Sequence, residues 1–253
     1  MFRAVVPARF ASTRLPGKPL ADIRGRPMIQ WVYERVAASG AGEIIVATDD
    51  ERVAAACRAF GAEVELTSAA HASGTDRLAE VAARRGWNPR DVVVNVQGDE
   101  PLLPPALLRQ AAALLGADPG ADIATLGTAI LALDEFLDPA VVKVVRRADG
   151  RALYFSRAPI PWHRDNAPGG IATQRNFAGA LRHIGLYAYR VEALQRLAAA
   201  PPSALEQAEK LEQLRALSLG MAIAVGEAVE RPGPGVDTPE DLERVRALAG
   251  AAP

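Results

Sequence analysis

Short β-branched runs recur along this chain with stretches of helical periodicity between them, and that alternation restricts the fold more than any other feature. The runs predicted as strands are 2–6, 43–47, 63–66, 92–96, 123–128 and 221–225, and the amphipathic stretches are 27–38, 51–60, 76–85 and 105–115. The first stretch opens on Pro27 and stops before Gly40, a start and stop pairing that suits a helix. Parallel strands need a crossover long enough to hold a helix, so strand–helix–strand repeats predict βαβ units. The expected class is α/β: a mostly parallel, twisted, Rossmann-like sheet flanked by helices on both faces.

The rhythm changes after about residue 138. "VVKVVRRADGRALYFSR" reads as two strands around Asp149-Gly150, a hairpin signal. "NAPGG" is loop, and "LRHIGLYAYR" is a further strand. "SALEQAEKLEQLRALSLG" is the longest helical pattern, with Leu205, Leu211, Leu214 and Leu217 at helical spacing. In "GVDTPEDLERVR" Thr238 is the expected N-cap, Pro239 the first helical residue, and Asp241 lies three residues past the cap. No repeat or linker interrupts the 253 residues, so the expectation is a single domain over 1–253 with 139–190 as a hairpin-containing elaboration.

With 49% apolar residues the chain can bury roughly three quarters of its unfolded surface. Its 29 basic and 30 acidic residues nearly cancel, which leaves no global field to draw it to nucleic acid or a membrane. No secretory leader pattern and no apolar run of about 18 residues is present, and Cys57 is the only cysteine. A cytoplasmic location is the expectation.

Ligands of open α/β sheets bind beyond the carboxyl ends of the strands, and most polar clusters of this chain follow predicted strands. After the first comes "PARFASTRLPGKPL", with Arg9, Arg14 and Lys18, the hydroxyls of Ser12 and Thr13, and no carboxylate before Asp22. Pro16 and Pro19 keep the segment from becoming a helix. Two cations facing each other across ~4 Å cost on the order of 4 kcal/mol at an effective dielectric near 20, which a bound polyphosphate relieves. Neither G-x-G-x-x-G nor a complete P-loop is present, so side chains on an irregular loop must hold the anion.

"QGDEP" puts Asp99 and Glu100 just past an apolar strand. Asp99 there suits a Mg²⁺ ligand, or else a turn before the next helix; Asp237 in "GVDTPED" is a second metal-ligand candidate, or an ordinary helix-start residue. "HASGTDR" offers Ser73, Gly74, Thr75 and Arg77 either for a nucleotide or, through Thr75, as a helix cap. His183 suits a satisfied core position as well as a ligand contact, Cys57 reads as packing in preference to a nucleophile, and Asp49 and Asp50 read as the start of the next helix, with a nucleotide contact as the lesser alternative.

Together these segments closely resemble the 3-deoxy-manno-octulosonate (Kdo) cytidylyltransferases, which make CMP-Kdo for lipopolysaccharide. "PARFASTRLPGKPL", "IIVATDD", "SGTDRLAEV", "VVNVQGDEP", "ALYFSRAPIPW", "LRHIGLYAYR" and "LEQLR" carry the resemblance nearly end to end. It implies a nucleotide-diphospho-sugar transferase type of fold and transfer of CMP from CTP to Kdo with loss of pyrophosphate. Arg9, Ser12, Arg14, Lys18, Ser73, Thr75 and Arg77 would bind the nucleotide, with Lys18 also catalytic. Asp99 and Asp237 would be catalytic ligands of Mg²⁺. Gln97, Arg157, His183, Tyr187, Glu209 and Gln213 would shape the sugar pocket, Arg157 as a fork for the sugar carboxylate. The family is homodimeric, with the 140–190 region and the later helix in the contact. Related enzymes that use 8-amino-Kdo, sialic acid or a sugar 1-phosphate are the nearest alternatives. The chain departs from the family pattern at Gln207, where a histidine is usual.

Overall fold

A computed structural model describes residues 1–12 and 14–250. The strands are β1 (Arg3–Ala8), the small ladder β2 (Asp22–Ile23) and β3 (Arg26–Pro27), then β4 (Glu43–Thr48), β5 (Glu63–Leu66), β6 (Val92–Asn95), β7 (Ile123–Ala129), β8 (Lys143–Arg146), β9 (Ala152–Ser156), β10 (Leu181–Arg190) and β11 (Ile223–Glu227). The helices are α1 (Met28–Ala37), α2 (Glu51–Ala59), α3 (Gly74–Arg84), α4 (Pro105–Ala117), α5 (Leu133–Leu137), α6 (Val191–Ala199), α7 (Ala204–Glu209), α8 (Gln213–Ser218) and α9 (Pro239–Leu248).

The main sheet runs β11-β7-β10-β6-β1-β4-β5. Pairings β1–β4, β1–β6, β4–β5 and β11–β7 are parallel, as the alternation predicts. The exception is β10, which lies inside the sheet antiparallel to both β6 and β7. The hairpin forms as expected, β8 against β9, and β8 joins the sheet at the first residues of β10.

Side chains alternate across β1, so the strand serves two cores. Ala4, Val6 and Ala8 pack with Ile29, Val32, Val53 and Leu107 from α1, α2 and α4. Val5 faces the other way, into a cluster with Leu78, Val81 and Leu194 from α3 and α6. Each such Val, Leu or Ile contributes about 1.5–3 kcal/mol on full burial. Cys57 is wholly buried in the first cluster, and burial pushes its thiol up to about 12, which makes it an inert packing group.

Two sequence expectations need correction. The first strand does not stop at Pro7 but runs on to Ala8. In a parallel ladder alternate residues face the same neighbour, and the Val5 carbonyl accepts from Val96 on the β6 side (3.0 Å). Position 7 therefore faces β6 beyond that strand's end at Asn95, so the missing N–H forfeits no ladder bond. Second, the pattern over 203–220 is not one helix. It breaks at Lys210, which takes left-handed φ 54, into α7 and α8. Ser203 caps α7 in a reciprocal box with Glu206, and Arg215 of α8 reaches back to Glu206 (2.6 Å), so a buried ion pair ties the two short helices.

Candidate active site

The chain leaves β1 outward through β4 and β5, then returns to place β6 on the other side of β1. Connections diverge there, and an open α/β sheet has its binding crevice at such a switch point. A cleft of about 410 Å³ lies at this place, lined by the post-β1 loop, Gly74, Arg77, Gln97, Gly98, Asp99 and Asp237. Gly98 keeps its walls close, since a Cβ there would meet the Pro7 carbonyl oxygen at 2.8 Å.

The post-β1 loop is ordered by its own backbone. The Ser12 hydroxyl accepts from Leu15 N (3.3 Å), and Gly17, at left-handed φ 69, turns the chain into a short 3₁₀ turn at Lys18–Leu20. The Arg52 guanidinium stacks 3.5 Å over the Phe10 ring and fastens the loop to α2. Thr13 lies outside the described residues.

The loop's cations are not mutually unpaired, as the sequence suggested. The Lys18 ammonium donates to Asp99 Oδ2 (2.6 Å), the Val236 carbonyl (2.8 Å) and Asp237 Oδ1 (3.0 Å). Arg14 reaches the same Asp237 oxygen at 2.9 Å. Exposed Arg9 approaches the Ala72 carbonyl at 3.5 Å. Burial alone would lower the Lys18 pKa, but the Asp99 and Asp237 carboxylates outweigh it and hold the ammonium above its ordinary value. Burial, reinforced by the charge of Asp99, pushes the neighbouring Glu100 up to about 7. Asp99 follows β6 and Asp237 precedes α9, whose start has the expected cap of Thr238 with Asp241. The two acids therefore converge on one lysine from opposite ends of the chain.

At the start of α3 the cap is Ser73, reciprocally bonded with Asp76, and not Thr75. The Thr75 hydroxyl instead donates to Glu212 of the α7–α8 connection. Arg77 lies wholly buried beneath the cleft, donating to Thr67 and forming an ion pair with Asp49 at 2.9 Å. Asp49 is thus not a helix-start residue; Asp50 alone caps α2. Sequence reasoning missed Glu212 and the pairing of Asp49 with Arg77. Glu212 stands beside Gln213 inside the motif "LEQLR", and burial raises its carboxyl above the ordinary range.

Of the residues implied for the sugar side, only Gln97 lines the cleft. Arg157 and Glu209 form a second cluster, joining β9 to α7. Glu209 accepts from the Ser156 hydroxyl (2.6 Å) and Arg157 N (2.9 Å), while Arg157 Nε and Nη1 donate to the carbonyls of Glu209 (2.7 Å) and Pro139 (3.0 Å). Nε and Nη1 of that guanidinium are thus engaged by backbone carbonyls, and among the described residues Nη2 meets no hydrogen-bond acceptor. Buried Lys143 steadies the cluster from below, donating to the carbonyls of Asp138, Val141 and Arg157.

His183 is edge-on to Phe155 (5.0 Å) and tilted against Tyr187 (5.2 Å), with Nε2 3.0 Å from the Thr125 hydroxyl. Burial pushes it down to about 3, so it stays neutral, and burial also raises Tyr187 well above the usual phenol range. Gln213 is buried at the start of α8. The departure at Gln207 falls on the exposed side of α7, with its amide 3.4 Å from the Pro202 carbonyl. Among the described residues no cluster of three or more His, Cys, Asp and Glu stands at metal-ligand spacing, and no helix is long and apolar enough to cross a membrane.

This fold has known counterparts. Residues 3–223 match the family model described as cytidylyltransferase. The 3-deoxy-manno-octulosonate cytidylyltransferase of Halorhodospira halophila is 54% identical, over 96% of this chain and 95% of its own. That of Cellvibrio japonicus is 55% identical, over 98% and 97%. A solved CMP:2-keto-3-deoxy-manno-octonic acid synthetase complexed with CTP superposes with a TM-score of 0.88 at 46% identity, covering 99% of both chains. A cytidylyltransferase structure from Leptospira borgpetersenii, at 15% identity and a TM-score of 0.63 over 99% and 87%, shares the fold. The chain belongs to the 3-deoxy-manno-octulosonate cytidylyltransferase family.

Proposed function

We propose that this protein transfers the cytidylyl group of CTP to Kdo, releasing pyrophosphate and yielding CMP-Kdo for lipopolysaccharide assembly. The observation that carries the reading is the meeting of Lys18 and Arg14 with Asp99 and Asp237 in a cleft at the switch point of the sheet. Its reactants are both anions, and a site for them must supply positive charge without a large net field. Arg9, Arg14 and Lys18 provide it for the triphosphate, and Ser12, Ser73, Thr75 and Arg77 complete the nucleotide side. The reaction draws on CTP, so the reading carries the cytoplasmic setting with it.

The anomeric hydroxyl of Kdo attacks the α-phosphorus in line; its oxygen–phosphorus bond forms as the bond to pyrophosphate breaks, and its proton passes to solvent water. Arg14 and Lys18 hold the departing diphosphate and stabilise the charge that gathers on it. Gln97, Arg157, His183, Tyr187, Glu209 and Gln213 form the sugar side. His183, pushed down to about 3 by burial, stays neutral there, with Nε2 3.0 Å from the Thr125 hydroxyl.

Mg²⁺ fits the same cleft. Three oxygens already converge on the Lys18 ammonium, two of them from carboxylates, and hard oxygen donors of this kind suit the ion. Asp99 and Asp237 would hold it. When bound, it neutralises phosphate charge and acidifies the attacking hydroxyl.

Pyrophosphate release with Mg²⁺ and CTP tests the assignment across Kdo, 8-amino-Kdo, sialic acid and a sugar 1-phosphate, with UTP as control. Kdo with CTP is expected to give the highest kcat/KM; a preference for another sugar or for UTP sinks the reading.

The 139–190 elaboration supports a homodimer as part of the same proposal. It borders a broad recess lined by Ile130, Val145, Phe177 and Leu181, and exposes Leu153, Trp162 and Ile171. Apolar surface of this kind suits a protein partner. Light scattering is expected to give twice the mass of the chain, and a single-chain mass at micromolar concentration removes the dimer from the proposal.

A further inference from the structure

The geometry points to Lys18 as a gate on metal binding: its ammonium and a divalent cation compete for Asp99 and Asp237, so the metal binds well only once a triphosphate holds the lysine. This rests on the metal reading above and adds a condition to it. An ammonium has three hydrogens to donate. Here three acceptors surround it, Asp99 Oδ2 at 2.6 Å, the Val236 carbonyl at 2.8 Å and Asp237 Oδ1 at 3.0 Å.

The lysine is not a loose surface chain. Its side chain is 16% exposed, against 63% for Arg14. Its backbone is fixed within the 3₁₀ turn, and the Val236 carbonyl holds the ammonium beside the start of α9. Arg14 occupies the same Asp237 oxygen. Two basic side chains thus already hold one oxygen of each acid on which a metal must land, Asp99 Oδ2 and Asp237 Oδ1.

A dication entering between these carboxylates would sit within a few ångströms of the ammonium, and like charges so close in a partly buried cleft repel strongly. Both cannot hold the same oxygens. A triphosphate changes the competition, because it offers Lys18 and Arg14 other anionic oxygens at the mouth of the cleft. Drawing them off bares Asp99 and Asp237, and the metal then gains phosphate ligands as well. Linkage makes the effect mutual: what frees the acids for metal also strengthens nucleotide binding when metal is present. Lys18 is in this respect a positioning residue that keeps the acids paired and ordered until substrate arrives.

Mn²⁺ binding without nucleotide, followed by the electron paramagnetic resonance of the free ion, tests this directly. Wild type is expected to bind weakly, Lys18→Met at least tenfold more tightly, and Lys18→Arg, which keeps the charge, like wild type. Equal affinities in wild type and Lys18→Met overturn the gate. The double variant Lys18→Met/Asp99→Asn separates this from failure of the metal reading: if it keeps the gained affinity, the ion sits elsewhere and the metal assignment falls. Should Lys18→Met not fold, wild-type crystals decide. With Mn²⁺ alone they are expected to keep Nζ on both carboxylates without a metal peak between them. With Mn²⁺ and CTP they should show the peak there and Nζ moved onto phosphate. A metal sharing both carboxylates with Nζ refutes the competition.

Discussion

Asp99→Asn is expected to lower kcat for CMP-Kdo formation by about a thousandfold while leaving the fold in place. The substitution keeps the shape of the side chain and removes one of the two acid charges that meet in the cleft. A metal lost from a transferring phosphoryl group removes several kcal/mol of charge stabilisation, and about 4 kcal/mol corresponds to three powers of ten in rate. The fold has little reason to change. Asp99 is 32% exposed, and Lys18 retains the Val236 carbonyl and Asp237 as partners. The measurement is pyrophosphate release at saturating CTP and Kdo, beside a thermal melt of the same preparation. Wild-type turnover from a normally folded variant would falsify the assignment of Asp99 to the metal. Loss of turnover with a collapsed melt would show that the lysine bridge is structural, and the isosteric change at Asp237 would then carry the test. That residue is 52% exposed and lies ahead of the α9 cap, so its loss disturbs packing still less.

The layers of the fold were legible because parallel strands buried on both faces leave a strong mark, short Val- and Ile-rich runs separated by helical periodicity. β4, β6 and β7 fall where those runs predict, while β5, Glu-Val-Glu-Leu at the sheet edge, was legible from its position in the alternation. The hairpin was legible too, since Asp149-Gly150 suits a tight turn whatever surrounds it. The reversed direction of β10 was not, because strand direction is set by which neighbours a run finds and leaves no trace in its own residues. The break at Lys210 was equally hidden: a left-handed lysine costs backbone energy, which tertiary contacts such as the pairing of Arg215 with Glu206 offset.

The site divides the same way. Local chemistry marked the cationic loop, the acids after β6 and the cap at Thr238. The pairings that give these residues their state span the chain, Lys18 to Asp237 and Thr75 to Glu212, and no spacing rule reaches so far. Treating the loop's cations as unpaired therefore overstated their repulsion, since Lys18 and Arg14 already meet Asp99 and Asp237. Which residues serve the sugar rested on family resemblance alone. Arg157, Glu209 and His183 are not among the residues that line the cleft.

The second large effect concerns Arg77. Arg77→Met is expected to destabilise the protein by about 3 kcal/mol, since removing one member of a buried pair strands the other. For a chain of this size that shift lowers Tm by about 10 °C. Arg77 is 1% exposed and its partner Asp49 17%, so water can do little to compensate the carboxylate left behind. Methionine fills much of the arginine's volume, which leaves charge, not a cavity, as the main loss. The double variant Arg77→Met/Asp49→Asn isolates that cause. With no carboxylate to strand, it should recover at least half of the Tm lost by the single variant, even though it removes more native interactions. A double variant that melts as low as the single one, or lower, would mean that the arginine acts through packing and its bond to Thr67. The pair would then be a by-product of a floor held by other contacts. Recovery instead makes Asp49–Arg77 the electrostatic joint between the end of β4 and the helix that opens onto the nucleotide side of the cleft. The Asp49 charge then requires a buried cation at position 77.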